Sequence, residues 1–222
     1  DGAKRALIVA TSAQEVAGNK TGAWSEEICG PYYVFKDAGF TVSVCSIAGG
    51  DVPLDAASLG EQFKTPNDER MIAENSAPLK ATRRFSDLVA TSYDIIFFAG
   101  GHGTCVDFPT DAVGEAVSKA AAAGKIICAV CHGPTALVRA KTVDGEPLVK
   151  GRRLACFTDV EERLVGYADK VPFLLEAKMK ELGATVEVGA PWTDKVVKDG
   201  KLVTGQNPQS SVSCAKLALS CL

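Results

Sequence analysis

The sequence predicts an α/β protein built on a mostly parallel, doubly wound sheet, and three observations carry that expectation. Apolar runs without polar alternation, Ala6–Ala10, Tyr93–Ala99 and Lys125–Val130, read as strands buried on both faces. Segments of helical periodicity separate them, the pattern of strand–helix–strand crossovers. Turns containing glycine follow the strands, at the carboxyl ends where such sheets gather their chemistry.

The elements follow in order. After the first strand comes a loop from Gly18 to Gly22, then a helix over Ser25–Lys36 with Ile28, Tyr32 and Phe35 on one face. Gly30-Pro31 is a point where that helix is expected to kink or restart, and Ala38-Gly39 ends it. Phe40–Ser46 is the second strand. The polar stretch 49–86 interrupts the alternation and reads as a loop-rich insertion with short helices in one domain spanning 1–222. Tyr93–Ala99 then ends in Gly100-Gly101-His102-Gly103, followed by a helix over Asp111–Ala123, the strand Lys125–Val130 and a helix starting near His132. The remainder reads as strands near Arg153–Phe157, Thr185–Val188 and Lys195–Val203, helices over Val160–Tyr167 and Val171–Leu182, and a final helix from about Pro208.

Composition excludes several classes of function. The 24 basic and 27 acidic residues give a net charge of -3, and the isolated pairs Arg83-Arg84 and Arg152-Arg153 make no nucleic-acid footprint. No apolar run is long enough to cross a bilayer, and no signal-peptide pattern opens the chain, so a soluble, cytoplasmic protein is expected. Eight scattered cysteines are too few for a disulfide scaffold and fit a reducing compartment. The tail Ser220-Cys221-Leu222 lacks the basic residue of a peroxisomal address.

The segment Ala129-Val130-Cys131-His132-Gly133-Pro134 is the chemically informative one. A strand running through a small-x-Cys-x-Gly turn into a helix is the layout of a nucleophile elbow, whose sharp turn crowds the positions two before and two after its tip. A helix dipole behind the tip is expected to lower the Cys131 pKa, and the His132 N–H with a donor from the Gly101 turn is expected to hold an oxyanion. His132 is a candidate base, with Asp159, Glu161 and Glu162 as candidates to orient it. Glu26-Glu27 read most simply as a solvated helix face, although they lie near the first strand's carboxyl end. A Cys-x-x-Cys-His haem motif and a zinc set of His102, Cys105, Cys128 and Cys131 are disfavoured because Cys128 sits back along a buried strand. Gly101-x-Gly103 lacks the context of a phosphate loop or dinucleotide fingerprint, so no cofactor is implied.

The chain resembles the superfamily of Parkinson-disease-associated protein seven, also called ThiJ/PfpI, and within it the branch of heat-shock chaperones that are glyoxalase III enzymes. The resemblance rests on Lys20-Thr21-Gly22 leading to Glu27, Ala99 to Thr104, Ala129 to Pro134, Phe157 to Glu162 and Val203 to Pro208, in order along nearly the whole chain. It implies a flavodoxin-like, class I glutamine amidotransferase-like fold. It also implies Cys131 as nucleophile, His132 and Glu162 as the rest of a triad, Glu27 against the thiol, and Gly101 and His102 at the substrate and oxyanion. Glu161 stands where relatives often carry glycine, which keeps Glu161 and Asp159 open as the triad acid. The implied activity converts methylglyoxal and related 2-oxoaldehydes to 2-hydroxy acids without glutathione or metal, in a homodimer. Competing readings are a holdase for unfolded clients, a cysteine peptidase or amidohydrolase with the same triad, and a redox sensor at Cys131.

Overall fold

A computed structural model describes residues 2–222. In chain order its strands and α-helices are β1 (Arg5–Ala10), β2 (Glu15–Val16), β3 (Asn19–Lys20), α1 (Glu26–Asp37), β4 (Thr41–Ser46), α2 (Pro66–Ala73), β5 (Arg83–Arg84), β6 (Ile95–Phe98), α3 (Thr104–Asp107), α4 (Asp111–Ala122), β7 (Ile126–Val130), β8 (Arg153–Leu154), α5 (Asp159–Leu164), α6 (Leu175–Glu181), β9 (Thr185–Val186), β10 (Val196–Asp199), β11 (Leu202–Gly205) and α7 (Ser211–Leu219).

The central sheet has the order β10-β11-β7-β6-β1-β4-β5, and every pairing except β10 with β11 is parallel. The period of two along a strand sends alternate side chains to opposite faces. Ala6, Ile8, Phe97, Cys128 and Val130 thus join one core layer with Ile28 and Tyr33 of α1 and Cys214 and Ala218 of α7. Leu7, Val9, Ile96, Phe98 and Ile127 join the other layer with Val113 and Val117 of α4 and Met179 of α6. Helices cover both faces, which is why the strands lack polar alternation.

Four expectations need correction. The helix expected from His132 is a five-residue 3-10 turn over Gly133–Leu137. The single strand Lys195–Val203 is an antiparallel pair, because Asp199-Gly200-Lys201 turns the chain with Gly200 at φ +58. The strands near Arg153 and Thr185 leave the main sheet and pair with each other. Helix α1 runs through Gly30-Pro31 without restarting; a Cβ at Gly30 would lie 3.1 Å from Val212 of α7, so the glycine lets the two helices approach. The stretch 49–86 holds short helices, with α2 packed against the start of α1. Among the described residues, no helix is long and apolar enough to cross a membrane.

Candidate active site

Cys131 follows β7 with φ +60, in the left-handed region that costs an L-residue roughly 1–2 kcal/mol. Two backbone bonds hold it there: its N–H donates to Gly205 (3.0 Å) and its carbonyl accepts from Phe157 N–H (2.9 Å). The neighbouring small residues are sterically required. A Cβ at Gly133 would strike the Phe98 carbonyl oxygen, and one at Gly100 would lie 2.7 Å from the Val130 carbonyl oxygen. Gly101, at φ +101, passes against Gly22 and Trp24 so closely that no side chain fits.

Cys131 is only 4% exposed, yet it lines a cavity of about 380 Å³. His132 Nδ1 lies 3.4 Å from Sγ. His132 Nε2 lies 2.6 Å from Glu162 Oε2, and the other carboxylate oxygen, Oε1, lies 2.6 Å from His102 Nε2. One carboxylate thus serves two imidazoles whose rings are 4.2 Å apart, with Tyr167 stacked on His102 and Phe157 on His132. Burial alone would raise the Glu162 pKa, but the two histidines hold it down at about 2. His102 is lowered, first by burial and then by the neighbouring His132.

The first turn of α1 carries Glu27 beneath the elbow. Glu27 is fully buried, accepts the Gly100 N–H at Oε2 (2.5 Å) and lies against the Cys131 sulfur. Its Oε1 is buried and receives no N–H or O–H bond among the described residues. Burial pushes its pKa up to about 8. Glu26 is buried as well, accepting from Thr65 Oγ1 (2.5 Å) and Asn67 Nδ2 (3.2 Å), and burial raises it to about 7. The expectation of a solvated face at Glu26-Glu27 is therefore corrected: Thr65 and Asn67 at the start of α2 bond Glu26, and the Gly100 turn and Cys131 meet Glu27.

Burial, followed by the Glu27 carboxylate, pushes the Cys131 thiol well above its ordinary value, against the pull of the His132 N–H. This overturns the expected lowering. The 3-10 turn behind the cysteine is too short for a strong dipole, and desolvation of the thiolate outweighs it. The resting sulfur is a thiol whose proton has to be taken up by a neighbour.

The structure brings together Cys131, His132, Glu27, Glu162, Gly101 and His102. The Gly101 and His132 N–H groups have no backbone acceptor among the described residues. Glu161 and Asp159 stand elsewhere: Glu161 closes the capping box of α5 with Thr158, and Asp159 N–H donates to Glu176. Cys128 is buried in the core layer that holds Cys214 and joins no metal-ligating cluster among the described residues, so the four-ligand zinc set does not converge. Ligand atoms of His102, His132 and Glu162 do lie within 4.8 Å of one another, a cluster that spacing in the sequence did not suggest. Sequence reasoning also missed the cavity walls: Trp24, Phe63 and Trp192 lie in loops without periodicity, and Val165 lies at the C-terminal cap of α5.

A family model described as DJ-1/PfpI matches residues 20–220. The chain belongs to the DJ-1/PfpI family. It is 35% identical to "Glyoxalase 3" of Candida albicans, with 96% of this chain and 95% of the relative covered. It is 33% identical to "Glutathione-independent glyoxalase HSP31" of Saccharomyces cerevisiae over 99% of this chain and 98% of that protein. The crystal structure of glyoxalase III from Candida albicans superposes with a TM-score of 0.90 at 31% identity, covering 99% of this chain and 97% of that one. The mostly parallel sheet flanked by helices is the fold this family shares.

Proposed function

We propose that this DJ-1/PfpI protein is a glutathione-independent glyoxalase, converting methylglyoxal and related 2-oxoaldehydes to 2-hydroxy acids on Cys131. Near-full-length relatives named for that activity support it. The observation that carries it is the sulfur between a base pair of unlike character: an imidazole held by a carboxylate of pKa about 2, and a buried carboxyl of pKa about 8 with one vacant oxygen. Pairs of titratable groups pushed apart in this way divide acid and base tasks.

His132 Nδ1 takes the thiol proton while Nε2 faces Glu162, and the sulfur bonds the aldehyde carbon. The oxyanion forms near the Gly101 and His132 N–H groups and takes the proton back from His132, leaving a hemithioacetal. Glu27 Oε1, in its ionised form, then removes the hydrogen of that carbon as a proton, giving an enediolate, and returns it to the adjacent carbon, while the hydroxyl proton on the first carbon's oxygen passes to the oxygen of the second. The first carbon becomes a thioester carbonyl. Water cleaves it, releasing lactate and restoring the thiol. One carbon is oxidised and its neighbour reduced within the same molecule, so no external redox partner takes part.

The same reading assigns His102 to hold Glu162 and face the substrate. It places the protein in the cytoplasm as a homodimer; the eight unpaired cysteines fit a reducing compartment. Holding of unfolded clients is a separate activity that Cys131→Ala should leave intact in an aggregation assay. The test of the enzyme is lactate formation by protein freed of metal with chelator and supplied with methylglyoxal but no glutathione. Turnover that vanishes in Cys131→Ala supports the reading; absence of lactate from the wild type overturns it.

A further inference from the structure

The walls of the cavity, rather than its catalytic floor, bear on which 2-oxoaldehyde fits, and this inference rests on the glyoxalase reading above. A three-carbon oxoaldehyde fills a small part of about 380 Å³. The lining includes the aromatic rings of Trp24, Phe63, Phe157 and Trp192 together with Val165 and, among the described residues, no Asp, Glu, Lys or Arg side chain. Trp24 and Phe63 pack edge to face at 5.3 Å, and Phe157 and Trp192 tilt together at 5.8 Å.

Trp192 is held deliberately. Its φ of +61 is a left-handed conformation costly for a bulky residue. Its N–H donates to the buried Glu161 Oε1 (3.0 Å), which also accepts from Gln206 Nε2 (3.2 Å) and Asn207 Nδ2 (3.0 Å). Two consecutive acids at the start of α5 therefore divide the work: Glu162 serves the imidazoles, and Glu161 pins the backbone that presents Trp192 to the cavity.

The geometry points to an arm site for uncharged, apolar groups: the enzyme selects 2-oxoaldehydes bearing a hydrophobic arm longer than methyl over those bearing an anionic arm, with Trp192, positioned by Glu161, as a specificity-determining residue. An apolar arm gains from leaving water against these rings. A carboxylate arm would lose its hydration with no Lys or Arg among the described residues of the lining to meet it, the two lining imidazoles being already paired with the ionised Glu162.

The test compares 2-oxohexanal with 4,5-dioxopentanoate, arms of similar length that differ in charge, and with methylglyoxal. The expected kcat/KM for 2-oxohexanal exceeds that for 4,5-dioxopentanoate by at least roughly tenfold and exceeds that for methylglyoxal. Trp192→Ala narrows both ratios, and Trp192→Gly does so while keeping the melting temperature of the wild type, since glycine accepts the left-handed backbone. Trp24 and Trp192 are the only tryptophans in the chain and both line the cavity. In Cys131→Ala protein, tryptophan fluorescence therefore reads binding without turnover, and 2-oxohexanal should titrate it at least roughly tenfold more tightly than 4,5-dioxopentanoate. Turnover of all three aldehydes at equal efficiency, or equal binding, overturns the arm site while leaving the glyoxalase reading standing. Selective binding with no turnover of any aldehyde by wild type keeps the arm site and overturns the glyoxalase reading.

Discussion

Replacing Glu27 with glutamine should separate stability from activity in opposite directions. The amide has the shape of the carboxyl and its oxygen can still accept the Gly100 N–H, but it cannot take a proton. The wild-type carboxyl is raised from 4.5 to about 8, so its ionised form is disfavoured in the folded protein by on the order of 5 kcal/mol, an upper figure at about 1.4 kcal/mol per pH unit. The unfolded chain releases this proton near pH 4.5 and the folded chain only near pH 8. Folding stability therefore falls as pH rises through that window. Glu27→Gln escapes the loss: its melting temperature should match the wild type near pH 5 and exceed it at pH 9, by roughly 5–10 °C if half the upper figure is realised. Activity moves the other way. Loss of a general base lowers kcat by roughly 10²–10⁴, and the rise of wild-type kcat/KM toward pH 8 should vanish. Thermal melts and lactate formation, both across pH 5–9, give the two readouts. A Glu27→Gln enzyme within about threefold of wild-type kcat at pH 8 would refute the assignment of the base.

Three other outcomes follow from the same geometry. Glu162→Gln removes the anion that both imidazoles share, so kcat in the lactate assay should fall by roughly 10²–10⁴, whereas Glu161→Gln should weaken folding and substrate selection more than kcat. Gly133→Ala drives a methyl into the Phe98 carbonyl and should destabilise by about 2–3 kcal/mol, lowering the melting temperature by roughly 5–10 °C. Glu26, raised to about 7 by burial, loses stability as pH rises from about 4.5 to about 7; Glu26→Gln should melt at or above the wild-type temperature at pH 8 and show no such gain at pH 5.

The sheet was legible because β1, β6 and β7 are buried on both faces and therefore read as unbroken apolar runs. The elbow was legible because steric crowding restricts the residues at 129 and 133. What pattern could not show was set by tertiary packing. Glu26 looks solvated until Thr65 and Asn67 bond it, Glu27 until the Gly100 turn and Cys131 close on it, and the Cys131 thiol looks activated until burial is counted. Glu161 and Glu162 are adjacent and chemically alike; only the hydrogen bonds of a distant loop at 189–193 and of Gln206 and Asn207 tell them apart. The Asp199-Gly200-Lys201 turn was readable as a hairpin signal, and the continuous β-rich stretch around it masked that.

The most direct test of the account is the chemical state of Cys131 during turnover. When wild-type protein mixed with methylglyoxal is acid-quenched within a single turnover, peptide mass spectrometry should find one added methylglyoxal on the Cys131 peptide, disappearing as lactate accumulates. Lactate formed at the full rate by Cys131→Ala protein, with no adduct on the wild-type cysteine, would contradict it.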